Sequence, residues 1–107
     1  MKFKPVVPRA KANEDVEHAI DHYLKEQADA AALGFIKALE LAYTHISRHP
    51  ATGSPQYAHR LDLPGLRSWS LNRYPYLVFY IESADAIDVW RVLHMSRDIP
   101  AWLAQEL

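Results

Sequence analysis

Tyr76-Leu77-Val78-Phe79-Tyr80-Ile81, introduced by Arg73-Tyr74-Pro75, is the stretch that decides the fold of this 107-residue chain. Its residues are aromatic or aliphatic throughout, which suits a strand, and because side chains alternate across a strand both of its faces are apolar. Such a strand belongs inside a sheet that is covered on both sides. Working outward, Leu66 to Asn72 predicts a preceding strand, with Arg67, Trp69 and Leu71 on one side and Ser68 and Ser70 on the other. Arg73 to Pro75 makes the turn between them. Ser83 to Asp85 reads as a hairpin turn, and Ile87 to His94 as a third strand. Asp98 followed by Pro100 predicts the cap and first turn of a short closing helix through Trp102.

Upstream, the period changes from 2 to 3.6. Val16, Ala19, Ile20, Tyr23 and Leu24 line one face of a helix for which Asn13 is the expected cap, with Glu14 and Asp15 near its positive end. A second helix is expected from near Asp29, burying Ala32, Phe35, Ile36, Leu39, Tyr43 and Ile46 and stopped by Pro50. The short link between them predicts an antiparallel helical hairpin. Thr52, Gly53, Ser54 and Pro55 open a loop that runs through Pro64 and Gly65. The expected fold class is therefore α+β, an N-terminal helical hairpin packed on a small antiparallel β-sheet with a short C-terminal helix. The segment from Phe3 to Val7 is available as an edge strand, and the whole of residues 1–107 reads as a single domain.

Half of the residues are apolar and 23% are charged, enough for a buried core. Twelve Lys and Arg against thirteen Asp and Glu give a formal charge of -1, too balanced for bulk nucleic-acid binding, so no direct nucleic-acid partner is expected. With no cysteine, disulfides, thiolate metal sites and thiol nucleophiles are excluded. The Tyr76 to Ile81 run is far below the roughly 20 residues that span a bilayer. Pro5 and Pro8, set among Lys2, Lys4, Arg9 and Lys11, leave no apolar stretch for a secretory signal. A cytoplasmic location without membrane association is expected. Charge is unevenly placed: residues 13–29 carry six acids against Lys25, which makes the first helix acidic, whereas Arg48, Arg60, Arg67, Arg73, Arg91 and Arg97 lie between residues 48 and 97.

Four arginines, Arg67, Arg73, Arg91 and Arg97, are candidates to contact a partner's carboxylates or a phosphate backbone; pairing of Arg91 with Asp88 and of Arg97 with Asp98 is the plainer alternative. His94 is a candidate acid-base group or a hydrogen-bonded residue ending a strand. His18 and His22 have the i, i+4 spacing that lets two imidazoles share a metal, but lack a third strong ligand nearby, so no metal and no cofactor are expected. His45 and His49 repeat the spacing where a helix end favours positive charge. A second line on the second helix, Ala31, Gly34, Ala38, Leu41 and His45, faces away from its core stripe. Gly34 costs about 1 kcal/mol against alanine there, so a close neighbour is expected: the first helix, or a partner that would make Gly34, Ala38 and Leu41 its contacts.

The blocks Gly65-Leu66-Arg67-Ser68, Arg73-Tyr74-Pro75-Tyr76-Leu77-Val78-Phe79-Tyr80 and Arg91-Val92-Leu93-His94-Met95-Ser96-Arg97-Asp98, in this order after two helices, resemble the ParE/RelE superfamily of bacterial toxins, and its ParE branch in particular. The likeness covers nearly the whole chain. It implies the toxin of a type II toxin-antitoxin system, neutralised by a cognate ParD-like antitoxin whose flexible segment wraps it. ParE-branch members block DNA gyrase by binding; RelE-branch members are ribosome-dependent endoribonucleases that cut messenger RNA. Metal-free RNA cleavage needs a base for the 2'-hydroxyl, an acid for the leaving oxygen and stabilisation of the phosphorane. Here no lysine lies between Pro50 and Pro100 and no tyrosine follows Tyr80. A nuclease would have to rely on His94 with Arg67, Arg73, Arg91 and Arg97, so the reading favours a gyrase-binding toxin without catalytic residues, with the endoribonuclease as the alternative.

Overall fold

The computed structural model describes residues 3–105, so Met1, Lys2, Glu106 and Leu107 of the expected single domain lie outside the described residues. Strand β1 (Val6–Pro8) leads directly into helix α1 (Ala10–Lys25), followed by α2 (Asp29–Arg48), a 3-10 turn (Pro50–Thr52), α3 (Gln56–Leu61), β2 (Leu66–Ser70), β3 (Tyr76–Glu82), β4 (Ile87–His94) and α4 (Ile99–Ala104). The sheet order is β1-β4-β3-β2. β2, β3 and β4 form the expected antiparallel meander, and the amino-terminal segment adds an edge strand parallel to β4, which makes the sheet mixed.

Both faces of β3 are covered. Val78 and Tyr80 point at the α1–α2 layer, where they meet Phe35, Ile46, Ala12 and Ala19. Phe79 points the other way, to Leu66, Trp90, Leu93, Ile99 and Leu103, with Tyr57 of α3 packed against them. Helix α3 stands where the sequence predicts a loop: six residues are too few to show a helical period, and the helix is fastened by packing. Asp62 ends it with φ 52°.

The β3–β4 register slips once. Phe79 pairs with Arg91 and Tyr80 with Val89, leaving Trp90 as the extra residue of a bulge. Strict alternation would put Val89 and Val92 on opposite faces; the bulge lets both enter the helical layer while Trp90 and Leu93 enter the other.

The helices differ from expectation at one end. α1 begins at Ala10, three residues before Asn13, because Arg9 carries the chain straight out of β1: its N–H donates to the Val89 carbonyl at 2.9 Å and its carbonyl accepts from Asn13 N–H at 3.1 Å. Asn13 is exposed inside the first turns and does not cap. Ala12 and Ala19 are buried with Val16, Ile20 and Tyr23 beside them, whereas Leu24 is left exposed. α1 closes with a paired reverse bond, Ala28 N–H to Tyr23 O and Gln27 N–H to Leu24 O, with Gln27 in the left-handed region at φ 55°. That tight exit produces the antiparallel α1–α2 hairpin.

Candidate functional site

The four candidate arginines part company in space. Arg91 is 3% exposed, and its Nε and Nη2 each donate to Asp15 of α1 at 2.7 Å. Asp88, its expected partner, is taken instead by Arg9 at 3.0 Å. Asp15 Oδ2 also accepts the Val92 N–H at 3.0 Å, an amide on the stretch of β4 edge that β1 does not reach. Arg67 is half-buried and donates to the Gly53 carbonyl at 2.7 Å, pinning the loop before α3 to β2. Only Arg73 and Arg97 present exposed guanidinium-bearing side chains among the four. Arg73 occupies the β2–β3 turn with φ 70°, and Arg97 follows β4, its guanidinium 4.7 Å from the Trp102 ring centroid.

Those two arginines share one end of the sheet. The Pro75 carbonyl accepts from Met95 N–H at 2.8 Å, tying the β2–β3 turn to the end of β4, and Met95 itself is 47% exposed. Beside them, Asp15, His18 and His22 of α1, Tyr76 of β3, His94 of β4, Arg97 and Trp102 line a cleft of about 290 Å³. His18 and His22 thus join His94, a grouping that required the tertiary fold to see. Among the described residues no group of three His, Asp or Glu side chains is arranged as metal ligands.

The chemistry available to His94 is set by one bond. Its Nδ1 accepts the Ser96 N–H at 3.0 Å, so the neutral ring carries its proton on Nε2. With one lone pair occupied and the other nitrogen protonated, the ring is a donor toward the cleft; to act as a base it would have to give up the Ser96 bond. Burial, followed by the field of Tyr23, pushes the Tyr76 phenol up, against the lowering influence of Arg97, which keeps it a neutral hydroxyl near pH 7.

The second line on α2 also finds its neighbours within the chain. A Cβ at Gly34 would overlap the hydroxyl of Tyr74, which donates to the Ala31 carbonyl at 2.9 Å. The close neighbour is therefore the residue after Arg73, and not the first helix. Ala38 is buried in the core, and His45 stacks on Trp69 at 4.0 Å and 16°. Leu41 alone of the three proposed antitoxin contacts is open, at 64%, with Leu33 exposed at 69% on the same helix.

A helical hairpin across one face of a four-stranded sheet, with two short helices on the other, is the small α+β architecture that the resemblance to the ParE/RelE toxins implies. The sequence model of the family described as ParE toxin of type II toxin-antitoxin system, parDE, matches residues 6–99, and the chain belongs to that family. Among solved structures it is similar to the chromosomal ParDE toxin-antitoxin system from P. aeruginosa, with a TM-score of 0.70 at 19% identity, over 86% of this chain and 96% of that one. No curated protein matches it significantly in sequence. Among the described residues no helix is long and apolar enough to cross a membrane.

Proposed function

We propose that this ParE-family toxin acts by binding DNA gyrase and stalling its DNA cleavage cycle, without a chemical step of its own. The observation that carries this reading is the state of His94: its Nδ1 is engaged by Ser96, and of the four arginines that a nuclease would recruit, Arg91 is buried on Asp15 and Arg67 is tied to Gly53. What remains free is a recognition surface, Arg73, Met95 and Arg97 at the end of the sheet, with charged guanidiniums flanking an apolar centre as protein interfaces favour. A ParD-like antitoxin restrains the toxin, its flexible segment folding on the exposed Leu33 and Leu41 of α2. Under this reading the toxin acts in the cytoplasm, and no helix among the described residues is long and apolar enough to cross a membrane.

A second reading, a ribosome-dependent endoribonuclease, draws on His94 and Arg97 lining one cleft. The supercoiling activity of purified gyrase tests the first: added toxin is expected to inhibit it, with relief on adding the antitoxin. Undiminished supercoiling at a molar excess of folded toxin would refute it.

A further inference from the structure

The cleft at the end of the sheet presents hydrogen-bond donors from α1, from β4 and from the β4–α4 connection, set among the apolar side chains of Ala19, Val92, Leu93 and Trp102. His18 and His22 face it from α1, His94 from β4 with its proton on Nε2, and Arg97 from the β4–α4 connection, whereas the Tyr76 hydroxyl is engaged with Tyr23. Its one carboxylate, Asp15, is already saturated by Arg91 and the Val92 amide, so it does not oppose an anion as a free carboxylate would. Trp102 supplies an apolar wall and seats the Arg97 guanidinium at the rim, 4.7 Å from its ring centroid. Glu14, Asp21 and Glu26 flank the two α1 histidines along the helix but are exposed and outside the lining, where water and salt screen them.

Donors on several walls suit a tetrahedral oxyanion better than a planar carboxylate, whose two oxygens cannot address them all. We propose that this cleft binds a phosphate oxyanion, either inorganic phosphate or the terminal group of a phosphate monoester, held between the α1 imidazoles on one wall and His94 and Arg97 on the other. The site shares Arg97 with the proposed recognition surface, does not require the gyrase reading to hold, and involves no chemical step. Its volume of about 290 Å³ accommodates a phosphoryl group with part of the molecule that carries it.

The test follows the histidine ring and Trp102 indole signals of the full chain by NMR during titration with inorganic phosphate, with adenosine 5'-monophosphate, and with sulfate as a second tetrahedral dianion. Sodium chloride and acetate at matched ionic strength serve as controls. Saturable shifts confined to His18, His22, His94 and Trp102 are expected, with phosphate and sulfate perturbing the same signals. The exposed Arg97→Ala should weaken phosphate binding about tenfold, and the paired His18→Ala, His22→Ala variant should weaken it by a similar factor. Tighter binding of the nucleotide identifies a monoester ligand, and equal binding identifies the free ion. Shifts reproduced by chloride, shifts spread over all six histidines, or an Arg97→Ala titration matching the parent would overturn the proposal.

Discussion

Asp15 and Arg91, 76 residues apart in sequence, form a two-pronged ion pair at 2.7 Å that fastens the middle of α1 to the edge of β4. Side-chain exposure of 10% and 4% keeps solvent from screening the pair, and the same carboxylate satisfies the Val92 amide. Removing one partner leaves a buried charge and an orphaned strand amide. Asp15→Ala is therefore expected to lower stability by about 3–5 kcal/mol, whereas Asp15→Leu with Arg91→Met recovers part of the loss. Urea unfolding followed by tryptophan fluorescence reads both.

Gly34→Ala runs against helix propensity. Alanine should gain about 1 kcal/mol in a helix interior, yet its methyl would collide with the Tyr74 hydroxyl, which is held by the Ala31 carbonyl and packed edge-on to Tyr23 and Phe35. The substitution is expected to destabilise by about 1–2 kcal/mol net, and Tyr74→Phe in the same chain to return part of it. A melting temperature equal to or above that of the parent for Gly34→Ala alone would contradict this packing.

Tyr43 sets an alkaline limit. Its hydroxyl is buried with no hydrogen-bond partner among the described residues, and burial first, then the Asp15 charge, pushes its pKa up to about 12 from an ordinary 10.0. The folded value lies above the unfolded one, so the stabilising contribution is fully present below pH 10 and is lost as pH rises through 12. Stability should fall across that window, and Tyr43→Phe should flatten the fall while leaving neutral-pH stability unchanged or slightly raised, since no bond is lost. Denaturant midpoints measured from neutral to alkaline pH provide the check.

The recognition surface and the antitoxin surface make separable predictions. Arg73→Glu and Arg97→Glu are both exposed changes that should leave the fold intact while weakening gyrase inhibition by about tenfold or more, as charge reversal at an interface does. Leu41→Glu places a charge on an open apolar position of α2 and should weaken antitoxin capture, measured by calorimetry. Unchanged antitoxin affinity in a folded Leu41→Glu chain would remove α2 from that surface.

Much of the fold was legible because it rests on local periodicity. The all-apolar run from Tyr76 to Ile81 required cover on both faces, and the structure supplies α1 and α2 on one side and α3 and α4 on the other. What stayed hidden depends on register. No spacing rule links Asp15 to Arg91, since the bulge at Trp90 decides where Arg91 points, and Asp88 looks the nearer partner along the chain. Gly34 advertised a close neighbour but could not name Tyr74, 40 positions away in a turn. His18 and His22 showed their spacing; only the packing of α1 beside the end of β4 brings them to the cleft of His94 and Arg97.

The account turns on a toxin that recognises its target and performs no proton transfer. Primer extension on messenger RNA from a translating extract supplied with the purified protein tests this most directly, run at a concentration that inhibits gyrase supercoiling. The expected result is full-length message throughout; codon-positioned breaks in that message, with gyrase unaffected, would contradict it.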